Sequence, residues 1–306
     1  MSLQSKLAQA TGGVMLFGVT PPRRSATPEK VKEIAEVTVK RLAGLDLDGL
    51  ILYDIDDESD RNPEERPFPY LPTMDPAEFY GSYLGAWDKP AVIYRCVGKY
   101  TPSALESFLS AADPAKVLSV FVGASSGDKQ VRTSLRQAQE LHASVRPSLP
   151  LGAVVIGERH ARSGDEHLRM LAKQERGVTF FVSQVIYDLN ETKNLITDYF
   201  YECRGRGVDP RPIIFTLSLC GSEKTLEFLK WLGVDVPRWL STTLSHSPDP
   251  LADSYRETLS IARDLHGFCT RLGMPFGFHV ESVSIRRAEI EAATDLAAEV
   301  AALLRG

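Results

Sequence analysis

The densest group of reactive side chains in the sequence is the stretch "YDIDDESD", which follows an apolar run and holds Asp54, Asp56 and Glu58. Carboxylates of this kind transfer protons, or bind hard cations through their oxygens. The stretch lacks the spacing and the glycine of an EF-hand loop, so we expect no metal ion here. The favoured interpretation is a polar rim, or acids that face a basic or hydroxylated ligand.

Two further segments place groups that transfer protons or bind anions after apolar runs. "GERH" contains Glu158 and His160, and a histidine there could contact a cofactor or move a proton, while a purely structural role stays open. "GASSGD" offers the Ser125 hydroxyl and backbone N–H groups, which could hold a phosphate or another anion. His279 lies inside an apolar run, where a core position is the alternative to a functional one.

Gln184 is the polar exception in the apolar run "FFVSQVIYD". A buried amide without hydrogen bonds costs roughly 1–3 kcal/mol, so this side chain needs a partner. Because an amide both donates and accepts hydrogen bonds, it suits a planar heterocycle with paired donors and acceptors. We therefore expect Gln184 to bind a ligand.

The elements that must position these residues are apolar runs that alternate with amphipathic segments. Near-continuous apolar runs are typical of strands covered on both faces. Eight such runs, each followed by a helical pattern, predict the α/β class and a single-domain (β/α)8 TIM barrel, in which strand ends build the active site. The alternative, a doubly wound open sheet, is disfavoured because no Gly-x-Gly-x-x-Gly follows an early strand. We expect one domain over 1–306, with a helical insertion at about 236–272 before the last strand. The eight runs are "GVMLFGV", "DGLILYDI", "AVIYRCV", "KVLSVFVG", "LGAVVIG", "VTFFVSQVIY", "RPIIFTLSL" and "PFGFHVESV".

The composition limits the classes of function and partner. The 306 residues carry a formal net charge of −5, and no basic block stands out, so we expect no nucleic-acid partner. No run of 18 apolar residues and no secretory h-region occurs, so we expect no membrane partner. The cysteines have no C-x-x-C spacing, which indicates reduced thiols and a cytoplasmic location. These cysteines are Cys96, Cys203, Cys220 and Cys269.

The order and spacing of the motifs over about residues 14–285 resemble the methylenetetrahydrofolate reductase family. "GVTFFVSQVIYD" is similar to that family's G-A-D-F-x-I-T-Q-x-x-F-D, "GERH" to its Y-P-E-x-H, and "LFGVTPPR" to its F-E-F-F-P-P-[RK]. "PFGFHVESVS" falls where the family has G-x-H-x-Y-T-L-N. The resemblance implies a FAD-dependent barrel that reduces methylenetetrahydrofolate with NADH or NADPH as electron donor.

The resemblance also implies roles for individual residues. Gln184 matches the glutamine that binds the pterin of the tetrahydrofolate derivative, and we add Glu158 and Tyr187 as candidate substrate-binding residues. Lys173 matches a position that contacts the flavin phosphate. The candidate cofactor-binding residues are His160, Lys173, Ser125 and Asp54.

The chain differs from the family at the positions that act in catalysis or contact the flavin. The glutamate that serves as general acid is replaced by Gly18. The arginine and aspartate of the family's L-R-G-D correspond to Val122 and Ala124, and the tyrosine beside the flavin corresponds to Ile156. These replacements predict altered chemistry and a degraded set of flavin contacts.

An enzyme of this family would need a carboxylate from elsewhere in the chain. The candidates are Asp54, Asp56, Glu58 and Glu281, of which Asp54 and Glu281 are our predicted catalytic residues. Two alternatives stay open. One is a flavin-independent, folate-binding one-carbon enzyme, and the other is a non-catalytic folate- or flavin-binding barrel that regulates a partner reductase subunit. Assembly as a homo-oligomer is left open in the same way.

Overall fold

The computed structural model describes residues 1–57, 62, 64–124 and 130–306, which form a closed barrel of eight parallel strands. Each strand pairs with its neighbour in the sequence, and β8 closes the barrel on β1. The predicted (β/α)8 TIM barrel is therefore confirmed. The strands are β1 Val14–Val19, β2 Gly49–Leu52, β3 Ala91–Cys96, β4 Val117–Val122, β5 Leu151–Val155, β6 Val178–Val185, β7 Ile213–Ser218 and β8 Phe276–Glu281.

Helices cover the outside of this barrel. Several begin at a Thr or Asp cap followed by proline: the cap side chain accepts from free N–H groups of the first turn, and the proline pre-sets its backbone. No helix in the described part of the chain is both long and apolar enough to span a membrane. The helices are α1 Leu3–Ala8, α2 Pro28–Leu42, α3 Pro76–Tyr83, α4 Pro102–Ala111, α5 Leu135–Val145, α6 Gly157–Ser163, α7 Glu166–Glu175, α8 Leu189–Gly205, α9 Glu223–Trp231, α10 Arg238–His246, α11 Pro250–Leu272 and α12 Arg287–Arg305.

Alternate residues of the strands fill the barrel interior, because successive side chains of a strand point to opposite faces. Leu16, Ile51 and Ile214 belong to one buried cluster inside the barrel. Leu3 and Leu7 of α1 join this cluster and are almost fully buried. One end of the barrel is thus closed by α1, and the carboxyl ends of the strands remain for a functional site.

The chain around Glu64 and Arg66, in the loop between β2 and α3, packs against α9, which follows β7. The indole N–H of Trp231 donates a 2.9 Å hydrogen bond to the carbonyl of Glu64 in this loop. The Arg66 guanidinium lies over the rings of Phe228 and Trp231, at 4.9 and 5.3 Å from their centroids. Because β2 and β7 are on different sides of the closed barrel, this contact draws the chain around Glu64 and Arg66 across the carboxyl end.

Candidate functional site

Glu281 and Gly18 lie side by side on neighbouring strands at the carboxyl end of the barrel. The register pairs Phe17 of β1 with Val280 of β8, and Gly18 and Glu281 follow directly. A Cβ atom placed on Gly18 would lie only 2.9 Å from the Cβ of Glu281. The carboxylate that is missing from β1 therefore has a counterpart on β8, at the adjacent position.

Glu281 has the electrostatic properties of a group that exchanges protons near neutral pH. Burial raises its pKa from the usual 4.5 to about 7, and a hydrogen bond from the Tyr53 hydroxyl opposes this rise. Burial, together with the nearby Glu281 carboxylate, raises the pKa of Tyr53 and of Tyr94, so both phenols stay protonated. A carboxyl group with such a pKa is suited to general acid–base catalysis.

His279 occupies the space that a side chain at position 18 would fill. Its ring is fully buried, and a Cβ on Gly18 would lie 2.4 Å from its Nε2. Glycine at this position is thus a steric requirement, because it leaves room for both His279 and Glu281.

The hydrogen bonds of His279 set its tautomer. The Thr216 hydroxyl donates to the Ser183 carbonyl at 2.7 Å, so it must accept from His279 Nδ1 at 3.3 Å. Nε2 then carries a lone pair, and within the described residues it has no hydrogen-bond partner. Burial lowers the pKa of His279 to about 3, which keeps the ring neutral.

Two tyrosines complete an aromatic wall beside Glu281. The rings of Tyr53 and Tyr94 meet edge to face with centroids 4.9 Å apart, and Tyr53 lies 6.0 Å from the His279 ring. Neither tyrosine was predicted from the sequence to be a site residue. Tyr53 lies two residues after the inward-facing Ile51, and Tyr94 lies two residues after the inward-facing Val92. Because side chains alternate between the two faces of a strand, this spacing predicts that both tyrosines point inward.

Asp54 lies outside this group and is held by neighbouring residues. Its carboxylate accepts hydrogen bonds from the Cys96 backbone N–H at 2.8 Å and from the Tyr100 hydroxyl at 3.0 Å, and it forms an ion pair with Lys99. The side chain is buried. This arrangement favours a structural role, which ties β2 to β3, over the predicted catalytic or cofactor-binding one.

Replacing Asp54 by asparagine is expected to lower the free energy of unfolding by about 1.5–3 kcal/mol, because charge-assisted hydrogen bonds to a buried carboxylate are lost. Urea denaturation measures this change. Asp46→Asn removes an exposed ion pair with Arg305 and should change stability by less than about 0.5 kcal/mol. An Asp54→Asn protein with unchanged stability but impaired ligand binding would contradict the structural role.

Gln184 sits in a β-bulge, where the strand carries one residue more than its partner. Val182 pairs with Ile214 and Val185 with Thr216, so two residues of β6 face one of β7. Bulges re-aim side chains next to active sites. Among the described residues the Gln184 amide forms hydrogen bonds only with backbone, donating to the Leu232 carbonyl at 3.4 Å and accepting from the Val185 N–H at 3.2 Å. These long bonds are ones that a ligand could replace.

A polar cleft adjoins Gln184 at the carboxyl ends of β5 and β6. Ile156 forms part of its apolar surface, and Trp231 of α9 forms another part. Arg162 and Lys230 also line it and bring positive charge to its edge. The cleft thus combines an amide, an aromatic ring and cationic groups.

The other predicted substrate-binding residues lie close to Gln184. Glu158 and Tyr187 line a second cleft together with Gln184. Glu158 accepts a 3.1 Å hydrogen bond from the Asp235 N–H, and burial raises the pKa of its carboxyl group. The Tyr187 hydroxyl donates to the Ser218 carbonyl at 2.7 Å and is buried, so it is engaged inside the protein.

Two of the predicted cofactor-binding residues, His160 and Lys173, are held by other parts of the protein. His160 lies between α6 and α8, with Nε2 3.0 Å from an Asp198 oxygen. Lys173 donates to the Val154 carbonyl at 2.8 Å, and burial lowers its pKa. Ser125 and the alternative acid Glu58 lie outside the described residues.

These positions bear on whether the chain fits FAD. The two basic side chains that the resemblance assigns to the cofactor, His160 and Lys173, are both engaged by other parts of the protein. Val122 and Ile156 offer apolar side chains where the family has arginine and tyrosine. The described residues at these positions therefore do not supply the polar contacts that a flavin would need.

One solved structure is similar to this chain over nearly its whole length. No protein-family model matches the chain, and no curated protein matches it either. Among solved structures, an uncharacterized protein from Clostridium thermocellum that binds two copies of 5-methyl-5,6,7,8-tetrahydrofolic acid is 38% identical, with a TM-score of 0.88 over 98% of this chain and 99% of that one.

A second solved structure shares the fold alone. It is the oxygenating constituent of 3,6-diketocamphane monooxygenase from the CAM plasmid of Pseudomonas putida, in complex with FMN. It is 9% identical, with a TM-score of 0.53 over 95% of this chain and 98% of that one. At such low identity its flavin says nothing about this chain. The first relative is different, because it is 38% identical over nearly the full length of both chains. The chain therefore belongs to the same protein family as this Clostridium thermocellum barrel.

Proposed function

We propose that this protein binds a reduced folate of the 5-methyltetrahydrofolate class at the carboxyl end of its barrel and catalyses proton-assisted one-carbon chemistry there. The observation that carries the proposal is Glu281, which lies beside Gly18 with a pKa raised to about 7. The binding of 5-methyltetrahydrofolate by the 38% identical relative supports the class of ligand.

Each part of the folate has a chemical counterpart near the mouth. The Gln184 amide would bind the paired donors and acceptors of the pterin ring. Arg162 and Lys230, which line the cleft beside Gln184, would pair with the carboxylates of the glutamate tail. Tyr53 and Tyr94 would supply an aromatic surface against the pterin.

Glu281 would exchange a proton with the pterin. In its protonated form Glu281 would protonate the folate nitrogen that carries the one-carbon group, so that this group can pass to a nucleophilic acceptor while the electron pair of the C–N bond returns to the nitrogen, which keeps the proton. In the reverse direction the Glu281 carboxylate would take the proton from this nitrogen as the C–N bond forms again. The Tyr53 hydroxyl donates a hydrogen bond to Glu281 and would stabilise the carboxylate between these steps. The Nε2 lone pair of the neutral His279 offers an acceptor next to this carboxyl group.

A second candidate function is the reduction of methylenetetrahydrofolate, as the resemblance to the reductase family implies. The carboxyl group of Glu281 favours it, because such a reduction needs a general acid. The described residues do not fit FAD, so the electrons would come directly from NADH or NADPH.

Three measurements on the purified chain test these proposals. Calorimetric titration with 5-methyltetrahydrofolate should give saturable binding, and an absorbance spectrum after incubation with FAD and desalting should show no flavin bands between about 300 and 550 nm. Oxidation of NADH or NADPH that depends on methylenetetrahydrofolate would select the reductase. Absence of folate binding would refute both functions, and stoichiometric flavin would overturn our assessment of the FAD contacts.

Replacing Gln184 by leucine is expected to weaken folate affinity about 5- to 150-fold, the equivalent of roughly 1–3 kcal/mol for polar groups of the ligand left unpaired. Titration calorimetry measures the change. Gln137→Leu alters only the exposed cap of α5 and should leave affinity unchanged. Equal affinities of the two variants would remove Gln184 from the site.

A further inference from the structure

A second cluster of chemically reactive side chains lies among the helices that cover β5 and β6. It consists of His160 on α6, His167 on α7 and Asp198 on α8. One potential ligand atom from each residue lies within 4.8 Å of those of the other two. His160 Nε2 is 3.0 Å from an Asp198 oxygen, and the two imidazole rings meet edge to face at 5.3 Å.

The fold brings the three residues together from separate helices. Gly164 adopts a left-handed conformation, with φ of 69°, at the end of α6 and turns the chain into α7. This turn places His167 against His160, and α8 packs on both helices and brings Asp198 to them. No metal ion was predicted from the sequence, in which the acidic stretch lacks the spacing of an EF-hand loop and the cysteines lack C-x-x-C spacing. His160, His167 and Asp198 come from three different helices and form no contiguous motif.

The hydrogen bonds of the two histidines are incomplete. His160 is only 5% exposed, yet its Nδ1 has no hydrogen-bond partner within the described residues. The Nδ1 of His167 is likewise buried and unpartnered in that part of the chain. In the tautomer that carries its proton on Nε2, the Nδ1 lone pair of each ring accepts no hydrogen bond from the described residues.

The geometry points to a binding site for a divalent transition-metal ion, which we propose is held by His160, His167 and Asp198. Two imidazoles and one carboxylate are a donor set that suits Zn²⁺ and its neighbours in the first transition row, whereas Mg²⁺ and Ca²⁺ prefer oxygen alone. The Asp198 side chain is 52% exposed, which leaves a path for the ion and room for water as a further ligand.

The charges around the cluster are compatible with a cation. Arg169 pairs with Asp165 at 3.2 Å and lies 4.0 Å from Glu166, and Lys173 lies 3.9 Å from the same buried glutamate. These basic groups are therefore neutralised by their own partners. A bound ion would join α6, α7 and α8, away from Glu281, and this proposal does not depend on the proposed function.

Metal binding to the full-length chain tests the site. Protein freed of metal with a chelator is titrated with Zn²⁺ by calorimetry and with Co²⁺ by visible absorbance, which reports the ligand geometry. We expect one equivalent of each ion and a higher melting temperature with Zn²⁺. His167→Ala and Asp198→Asn, at the more accessible positions, should each weaken Zn²⁺ binding at least about tenfold.

The matched control is His246→Ala, which removes an exposed histidine of α10 outside the cluster. It should bind Zn²⁺ as the unaltered chain does, and circular dichroism before titration establishes that each variant is folded. No stoichiometric binding by the unaltered chain would overturn the proposal. So would equal affinities of His167→Ala, Asp198→Asn and the control.

Discussion

Replacing Glu281 by glutamine should lower the rate of the folate reaction by about 10²–10⁴-fold, the usual contribution of a general acid or base. Glutamine keeps the size of the side chain and the hydrogen bond with Tyr53, so affinity for 5-methyltetrahydrofolate should change little. Steady-state kinetics and titration calorimetry separate the two effects. In the unaltered protein the rate should depend on a group with a pKa near 7, and this dependence should disappear in the variant.

The same substitution should change how stability depends on pH. The pKa of Glu281 is raised from 4.5 to about 7 in the folded protein, so the folded state holds its proton more tightly than the unfolded chain does. The group therefore costs stability progressively as pH rises from about 4.5 to 7, by about 1–3 kcal/mol at higher pH. His279 acts in the opposite sense between pH 3 and 6.5, because burial lowers its pKa.

The comparison between the unaltered protein and Glu281→Gln isolates the glutamate, since His279 is present in both. We expect the variant to be the more stable of the two at pH 8, and the difference to shrink as the pH falls to 5.

Glu257→Gln is the control for the effect on turnover, because burial also raises the pKa of Glu257, which lies on a helix outside the site. A loss of turnover in the control as large as that in Glu281→Gln would mean that the effect is not specific to the barrel mouth.

Placing a single methyl group on Gly18 is the substitution with the second-largest expected effect. The new Cβ would lie 2.4 Å from His279 Nε2 and 2.9 Å from the Glu281 Cβ, so the neighbouring side chains must move. His279 is fully buried and bonded to Thr216, which leaves it little freedom. We expect Gly18→Ala to lower the free energy of unfolding by about 1–3 kcal/mol, as overpacked cores do.

Gly18→Glu, which restores the residue of the reductase family, should cost more than Gly18→Ala and should not restore reductase activity. Chemical denaturation of both variants measures the effect. Gly81→Ala is the control: a Cβ there meets no atom within 4 Å, and alanine in a helix should stabilise by up to about 1 kcal/mol. A Gly18→Ala protein as stable as the unaltered one would show that position 18 has room for a side chain.

His279→Ala tests the steric cause directly. If the clash with His279 is responsible, the double variant with Gly18→Ala should lose less stability than the sum of the two single changes, since contacting residues are not additive. Full additivity would place the cost elsewhere, for instance at the Cβ of Glu281.

The barrel could be predicted from the sequence alone. Eight apolar runs separated by amphipathic segments leave few alternatives, because strands covered on both faces and joined by helices must lie parallel in one sheet. The sequence also shows that Gln184 is a polar residue in an apolar strand, and the resemblance to the reductase family implies that an acid of that family is replaced by Gly18 on β1. These are local properties, which residue type and spacing express directly.

Which carboxylate lies beside Gly18 depends on how the barrel closes. Asp54 and Glu281 both follow apolar runs, and their sequence contexts do not separate them. Asp54 forms an ion pair with Lys99 and accepts a hydrogen bond from Tyr100. Glu281 instead lies next to Gly18, because β8 pairs with β1 and closes the barrel. The cluster of His160, His167 and Asp198 likewise arises from three helices that meet only in space. Burial, pKa and neighbouring charge depend on residues far apart in the chain, so they follow from packing and not from spacing.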